Sequence, residues 1–513
     1  MDEGVLPDWL LRSAENYPER EALVCGDLRL TFAELWRRAE QMARRLASGG
    51  IQSGTRVALL AHNSPDYALM VHALMRLGAI LIPLNTRLTV EELRWQLSDV
   101  RATALIGDAA HREIVATLGC ALPTLKLLTV ADEPENTTIT PIATLPEADV
   151  LLRTEIYLTA TQAIIYTSGT TGQPKGARIT YGMHWWNAVG SALNMGLRDE
   201  DCWLACLPFY HIGGLSILLR SAIYGMRIVV MSPPFDADAV NAAIANERVS
   251  ILSVVAVMLQ RMLTNLDANT ATYLPTLRCV LLGGGPAPLP LLEDCARRNI
   301  PVTQTYGLTE SCSQATTLAP GEALRRLGSA GRPLAAVRLR ITREDGSEAA
   351  ADEAGEIQLS GPTITPGYDG KPEATRRAFH AGWFATGDLG YRDAAGYLYV
   401  LDRRVDLIVS GGENVYPAEI EAALLAHPAV EEVGVCGVAD AQWGQAPVAF
   451  VRLHADATMT EDALLAFAQE RLARYKVPKA VYFVGELPRT SSGKLLRREL
   501  PRLRPPAIAP DHS

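Results

Sequence analysis

Eleven consecutive residues, Tyr166 to Gly176 (YTSGTTGQPKG), gather what is needed to hold an anion: four Ser/Thr hydroxyls, three glycines and one lysine. Thr167, Ser168, Thr170 and Thr171 offer hydroxyl donors. Gly169 and Gly172 let the chain turn so that its own N–H groups converge on one point. Lys175 adds a compact positive charge. The apolar run Ala163-Ile164-Ile165-Tyr166 leads in and reads as the end of a strand. The pattern is a phosphate cradle, yet not a Walker A loop. Gly176 follows Lys175 at the place where that motif needs Ser or Thr for magnesium.

Further along the chain, chemically capable groups recur at the ends of apolar runs. Strand Asp201 to Leu207 is followed by Pro208-Phe209-Tyr210-His211-Ile212-Gly213-Gly214, where a histidine and paired glycines suit the wall of a pocket. Gly283, Gly284 and Gly285 close another strand and suit a flat ring lying against backbone. In Gln304-Thr305-Tyr306-Gly307-Leu308-Thr309-Glu310, Tyr306 offers a face for a base, Thr309 a donor for a phosphate, and Glu310 a hard oxygen ligand for magnesium. In Trp383 to Asp388 (WFATGD), the Asp388 carboxylate is able to accept both hydroxyls of a ribose. Gly411 and Gly412 sit in a hairpin whose backbone could press on a narrow ligand. Lys494 lies on a Gly/Ser loop, Pro488 to Lys494 (PRTSSGK), before the basic stretch Leu495 to Arg498.

These motifs, in this order, resemble those of the adenylate-forming superfamily of acyl-CoA synthetases, peptide-synthetase adenylation domains and beetle luciferases. The resemblance runs from about Pro7 to Arg498. It implies an ATP-dependent acid–thiol ligase that uses magnesium and coenzyme A. A carboxylate attacks the α-phosphate of ATP to give an acyl-adenylate, and a thiol then displaces AMP. On this resemblance Thr167 to Gly172, Gly283 to Gly285, Tyr306, Gly307, Thr309, Asp388 and Arg403 serve the nucleotide, and Glu310 the metal. Lys175, Lys494 and His211 are catalytic, His211 bordering the acyl site and thiol tunnel, and Gly411-Gly412 faces the thiol. Where the superfamily commonly has Asp or Lys as the domain pivot, this chain has Val405, so the pivot stays open.

Four stretches (HIGGLSILLRSAIYGM, LLGGGPAPLPLLEDC, QTYGLTESCSQ and SGGENVYPAEIE) resemble the o-succinylbenzoate-activating branch, which supplies menaquinone synthesis. A ligase for benzoate, coumarate or a fatty acid remains an alternative, as does a module that loads a carrier protein. For a substrate with two carboxylates, the surroundings of His211, Gly213, Ser311, Ser313 and Gln314 offer small residues and neutral donors. Arg220 is open to two readings, a cation for the second carboxylate or a solvated helix residue.

The elements that must position these groups follow from the rest of the chain. With 513 residues, more than one core is expected. A net charge of -9 argues against a nucleic-acid surface. Eight scattered cysteines without a CxxC pair read as free thiols of a reducing compartment. No signal segment and no apolar run of about 18 residues is seen, so no transmembrane segment is expected and the cytoplasm is the default. A small carboxylic acid, ATP and CoA are the expected partners, and a homo-oligomer is left open.

Thr31 and Glu34 form a capping-box pattern before the periodic run Phe32 to Leu46, and Glu21 to Leu30 alternates around Gly26-Asp27 as a hairpin. Strand Arg56 to Leu60, helix Tyr67 to Leu77 and strand Ala79 to Pro83 predict a doubly wound parallel sheet. Residues 130–160 lack periodicity and read as a surface excursion. Short strands within 328–400 predict a small distorted β-barrel. The fold class is therefore α/β. A large N-terminal domain, 1–403, carries two doubly wound sheets and the barrel, and a small mobile α+β C-terminal domain spans 404–513. Within the latter, Glu461 to Tyr475 and Leu495 to Arg498 are predicted helices.

Overall fold

The computed structural model describes residues 4–131, 138–167, 174–269, 272–284, 287, 289–323, 325–402, 407–455, 457–488, 495 and 497–504. The chain divides into two compact units. The larger comprises 1–86, 93–167 and 175–401, and the smaller 87–92, 168–174 and 402–513.

The larger unit holds two mixed sheets. In the seven-stranded sheet the order is Lys175–Thr180, Thr161–Thr167, Ile80–Pro83, Arg56–Leu60, Ala104–Gly107, Lys126–Thr129, Thr140–Pro141. All neighbours are parallel except the first pair. Val57, Ala58, Leu59 and Leu60 are buried without alternation, because helices cover both faces of a parallel sheet. The nine-stranded sheet has a parallel centre in the order Val302–Tyr306, Cys279–Leu282, Ile251–Val254, Cys202–Ala205, Arg227–Val230, Glu21–Cys25. Antiparallel strands flank it, among them Leu28–Thr31, which completes the expected hairpin.

Helix formation follows local chemistry closely. The Thr31 hydroxyl accepts from the Glu34 N–H and the Glu34 carboxylate accepts from the Thr31 N–H, so the box closes at the start of Phe32–Ser48. That helix buries Phe32, Leu35, Ala39, Ala43 and Leu46, one stripe at helical spacing. Ser64 caps Pro65–Leu77, with proline at its first turn. Residues 130–160 are less of an excursion than expected: Thr140–Pro141 extends the seven-stranded sheet, and Glu155–Tyr157 pairs with Val5–Pro7. The predicted barrel is a curled antiparallel half-barrel of five strands.

The smaller unit is α+β. Val430–Asp440 and Gly444–Leu453 form a long hairpin, flanked by Ile408–Ser410 with Glu413–Val415 and by Val481–Phe483. Helices Pro417–Leu425 and Glu461–Gln469 pack Ile420, Leu424, Leu464 and Ala468 against Val435, Ala449 and Val451. The second helix ends at Gln469, short of Tyr475. The segment after Lys494 is a 3-10 turn, Arg497–Leu503, rather than an α-helix, and Pro501 lacks the N–H that would extend a helical ladder.

Candidate active site

The phosphate-loop candidate connects two paired strands. Thr161–Thr167 and Lys175–Thr180 are antiparallel, and their register sets Thr167 directly opposite Lys175. Ser168, Gly169, Thr170, Thr171 and Gly172 lie outside the described residues. Beside the two strand ends, the Tyr368 hydroxyl donates to Glu310 Oε1 at 2.8 Å, and the Thr167 hydroxyl reaches the same oxygen at 3.4 Å. Lys175 Nζ stands 5.4 Å from the centre of the Tyr368 ring. Glu310 is buried, and its backbone carbonyl accepts from the Thr365 N–H at 2.7 Å. A buried carboxylate among hydroxyl oxygens is a hard donor set, which fits magnesium and not a soft metal.

Tyr306 ends a central strand of the nine-stranded sheet, and Asp388 lies on Trp383–Arg392 of the half-barrel. The two are joined, since the Tyr306 hydroxyl donates to Asp388 Oδ2 at 2.6 Å and both side chains are buried. Thr309 follows in a 3-10 turn with Glu310 and Ser311. Cys312 and Ser313 then adopt positive φ values of 57° and 88°, a strained path for residues with side chains. That path explains Gly307. A Cβ there would lie 1.5 Å from the Ser313 carbonyl oxygen and 3.0 Å from the Gln314 Cα. Both are backbone, so neither yields. Gly307→Ala is expected to lower stability by roughly 1–3 kcal/mol or more and adenylation by about 10²-fold. A thermal melt and a pyrophosphate-exchange assay read the two effects, and a variant matching wild type in both would sink this account of the turn.

His211 precedes helix Ile212–Tyr224 and lies edge-on to Tyr210, 4.7 Å between ring centres. Of the paired glycines, Gly214 answers a packing need of its own. Gly214 packs on the Pro208 carbonyl, where a Cβ would come within 2.2 Å. Gly283 and Gly284 follow the strand Cys279–Leu282, and Gly285 lies outside the described residues.

On the same helix, Arg220 is only 3% exposed, which removes the solvated reading. Its Nη2 donates to Asn187 Oδ1 at 2.5 Å and to Gln314 Oε1 at 3.3 Å, and its guanidinium lies 5.3 Å from the centre of the Trp203 ring. No carboxylate pairs with it among the described residues, and its buried Nε has no hydrogen-bond partner there. Burial draws its pKa below the ordinary value, although a guanidinium stays protonated at neutral pH. Neutral neighbours complete the shell. Burial first, and the Arg220 charge second, push the His184 imidazole down to about 3. Burial raises the Cys312 thiol to about 12.

In the smaller unit Gly411 and Gly412 form the tight turn between Ile408–Ser410 and Glu413–Val415, with φ of 57° and 86°. Such a two-residue turn needs positive φ at both positions. A Cβ on Gly411 would meet Trp443 Cε3 at 2.6 Å, and the Gly411 N–H donates to the Trp443 carbonyl at 2.8 Å. A bulky residue at 411 would therefore displace this indole. Arg403, Val405 and Lys494 lie outside the described residues.

The family model for AMP-binding enzymes matches residues 10–369, and that for the AMP-binding enzyme C-terminal domain matches 419–494. The chain belongs to the AMP-binding enzyme family. The 2-succinylbenzoate–CoA ligase of Geobacillus kaustophilus is 52% identical over 98% of both chains, and that of Geobacillus sp. strain WCH70 is 49% identical over the same shares. A double mutant of o-succinylbenzoate CoA synthetase from Bacillus subtilis, bound with its product analogue OSB-NCoA, superposes with a TM-score of 0.89. It is 40% identical, with 98% of this chain and 99% of that one covered.

Within this AMP-binding enzyme, two residues escape a reading of motifs: Tyr368, which joins Glu310 to Lys175, and Asn187, which shares the Arg220 guanidinium with the already expected Gln314. The only signal for Tyr368 is an aromatic residue after a Gly-rich turn, which is too common to single out. A separate cavity of about 560 Å³, lined by Arg20, Glu21, Asp201, Arg227 and Arg278, opens at the amino ends of the nine-stranded sheet. His211, Gly283, Gly284 and Tyr306 lie at the carboxyl ends of strands of that sheet, so the cavity is at the opposite edge from them. Asp201 and Arg278 already pair across it.

Proposed function

We propose that this protein is an ATP-dependent o-succinylbenzoate–CoA ligase of menaquinone synthesis. What carries the reading is the buried Arg220, held by neutral partners next to Ser311 and Gln314, in a chain about half identical throughout to 2-succinylbenzoate–CoA ligases. A benzoate or fatty-acid ligase needs no such cation. An acid with a second carboxylate does, because a guanidinium kept from water among neutral groups gains most from an anion.

The reaction has two steps. One carboxylate oxygen of the acid attacks the α-phosphorus of ATP, the bond to the β-phosphate oxygen breaks, and pyrophosphate leaves. The CoA thiolate then attacks the acyl carbon, the bond to the adenylate oxygen breaks, and AMP leaves. Magnesium, when bound, neutralises charge on the phosphates. Glu310 holds it, with Tyr368 and Thr167 fixing the orientation of that carboxylate. Lys175 and the 168–172 hydroxyls and N–H groups position the phosphates. Asp388, itself oriented by Tyr306, takes the ribose hydroxyls, and Gly283 to Gly285 and Gly307 lie along the base and phosphate. Arg403 contacts the nucleotide as well. His211 lines the acyl site and Arg220 takes the succinyl carboxylate. Lys494 serves adenylation and the Gly411-Gly412 turn serves thioester formation. We place the domain boundary at 403/404, and the free thiols, five of them buried, suit the reducing cytoplasm.

The test is kcat/KM for a panel of acids with saturating ATP and CoA. A site built to bind a group commonly rejects analogues that lack it by ~10⁴ or more. o-Succinylbenzoate is thus expected to exceed benzoate, 4-coumarate and fatty acids by about that factor. Faster turnover of any of these would overturn the substrate and leave the acid–thiol ligase class.

A further inference from the structure

Each doubly wound sheet has one place where the chain's connections part to opposite sides. In the nine-stranded sheet it lies between Cys202–Ala205, which continues to Arg227–Val230, and Ile251–Val254, which continues to Cys279–Leu282. Pro208 to His211 leaves the first of these strands, on the acyl side of the candidate site. In the seven-stranded sheet it lies between Arg56–Leu60 and Ala104–Gly107. The first runs through helix Pro65–Leu77 to Ile80–Pro83 on one side, and the second through Arg112–Ala121 to Lys126–Thr129 on the other. Open α/β sheets bind ligands outside the carboxyl ends of their strands at such a place. There, one or two residues past the two strand ends, stand His62 and Asp108, with His111 one turn on.

We propose that His62, Asp108 and His111 form a site for one divalent transition-metal ion, zinc being the best match, separate from the magnesium position at Glu310.

The geometry is that of a nearly assembled ligand set. His62 Nδ1 lies 3.6 Å from Asp108 Oδ2, and His111 Nδ1 lies 2.5 Å from Asp108 Oδ1. The two imidazole centres are 4.6 Å apart at 60°, and one ligand atom from each residue falls within 4.8 Å of the others. Ligands around a tetrahedral zinc, each at about 2.0–2.2 Å, stand roughly 3.3–3.5 Å from one another. The His111–Asp108 contact at 2.5 Å is a hydrogen bond, so an ion would take the place of its proton and the two side chains would open by about 1 Å to that spacing. The carboxylate is already held by backbone, since the His62 N–H donates to Oδ2 at 2.8 Å and the His111 N–H to Oδ1 at 3.1 Å. Two imidazoles and one carboxylate suit zinc and other late divalent ions, whereas magnesium and calcium favour oxygen alone. The His62 side chain is 40% exposed, which leaves a path for entry and room for a water as fourth ligand.

The site has a mechanical link to the segment around His211. Asn63, next to His62, donates through Nδ2 to the Leu207 carbonyl at 2.9 Å and accepts from the Phe209 N–H at 2.8 Å. An ion on His62 braces this contact from one residue away.

The experiment uses the full chain, stripped with a chelator and titrated with zinc by calorimetry in saturating magnesium. Wild type is expected to bind one zinc at this site. His62→Asn is expected to weaken that binding by at least about tenfold, and His111→Gln likewise. Cobalt in place of zinc is expected to give the visible bands of a nitrogen–oxygen set of low coordination number, and to lose them in His62→Asn. The His62 variant keeps the Asp108 cap intact, so it decides the matter even if the His111 variant misfolds. Unchanged zinc affinity in His62→Asn, no zinc uptake by wild type, or a cobalt spectrum dominated by thiolate charge transfer would each overturn the site.

Discussion

Replacing Arg220 by glutamine is expected to cut kcat/KM for o-succinylbenzoate by roughly 10²–10³-fold while leaving the slow turnover of benzoate almost unchanged. The magnitude follows from removing one partner of a buried charge pair, which costs about 2–5 kcal/mol. The asymmetry between the two acids is the informative part. In the free protein Arg220 holds Asn187 and Gln314 and lies near the Trp203 ring, so its loss also perturbs packing. Damage of that kind would lower both acids together. Loss of a carboxylate contact lowers only the acid that carries the second carboxylate. Arg220→Lys keeps the charge but not the planar fork, and is expected to recover part of the lost rate. Steady-state kinetics on both acids, with a thermal melt for each variant, separates the cases. An equal loss for benzoate and o-succinylbenzoate would remove Arg220 from substrate recognition.

Lys494→Ala should slow adenylation by about 10²–10³-fold, the scale of one lost transition-state donor. Charge builds on the α-phosphate as the carboxylate attacks it, and in the function proposed above Lys494 supplies the cation for that step. The second step makes its main demand elsewhere: charge builds on the acyl oxygen as the thiolate adds, the electron pair of the broken C–O bond goes to AMP, and no bond at phosphorus changes. Thioester formation from supplied acyl-adenylate should therefore change little. Pyrophosphate release in single turnover reports the first step, and CoA thioester from synthetic acyl-adenylate reports the second. Equal loss in both would rule out a division of labour between Lys494 and the Gly411-Gly412 turn.

Much of the architecture is written locally. Thr31 with Glu34, Ser64 with Pro65, and the periodic apolar stripe from Phe32 to Leu46 each specify a helix through contacts within a few residues. The continuous apolar strands imply helices on both faces, and hence two doubly wound sheets. The candidate loops were legible for the same reason: glycine, hydroxyl and lysine at short spacing have few structural alternatives, and they occur where strands end. Local pattern misled at the ends of elements. The helix expected to reach Tyr475 stops at Gln469, and the basic stretch after Lys494 forms a 3-10 turn containing Pro501.

What the sequence by itself determined is therefore the set of chemical parts and the class of reaction they serve, because each part is a contiguous motif. What only the tertiary structure decided is how those parts are held. Tyr368 meets Glu310 from 58 positions away, Tyr306 meets Asp388 from 82, and Arg220 meets Gln314 from 94. His62 meets Asp108 and His111 only because their two strands are neighbours in the sheet. Such meetings depend on strand order and register, which no short-range pattern encodes. Burial then decides between readings: the arginine that the sequence leaves open between a substrate cation and a solvated helix charge becomes, once its helix packs against Trp203 and Asn187, a buried cation held by neutral groups.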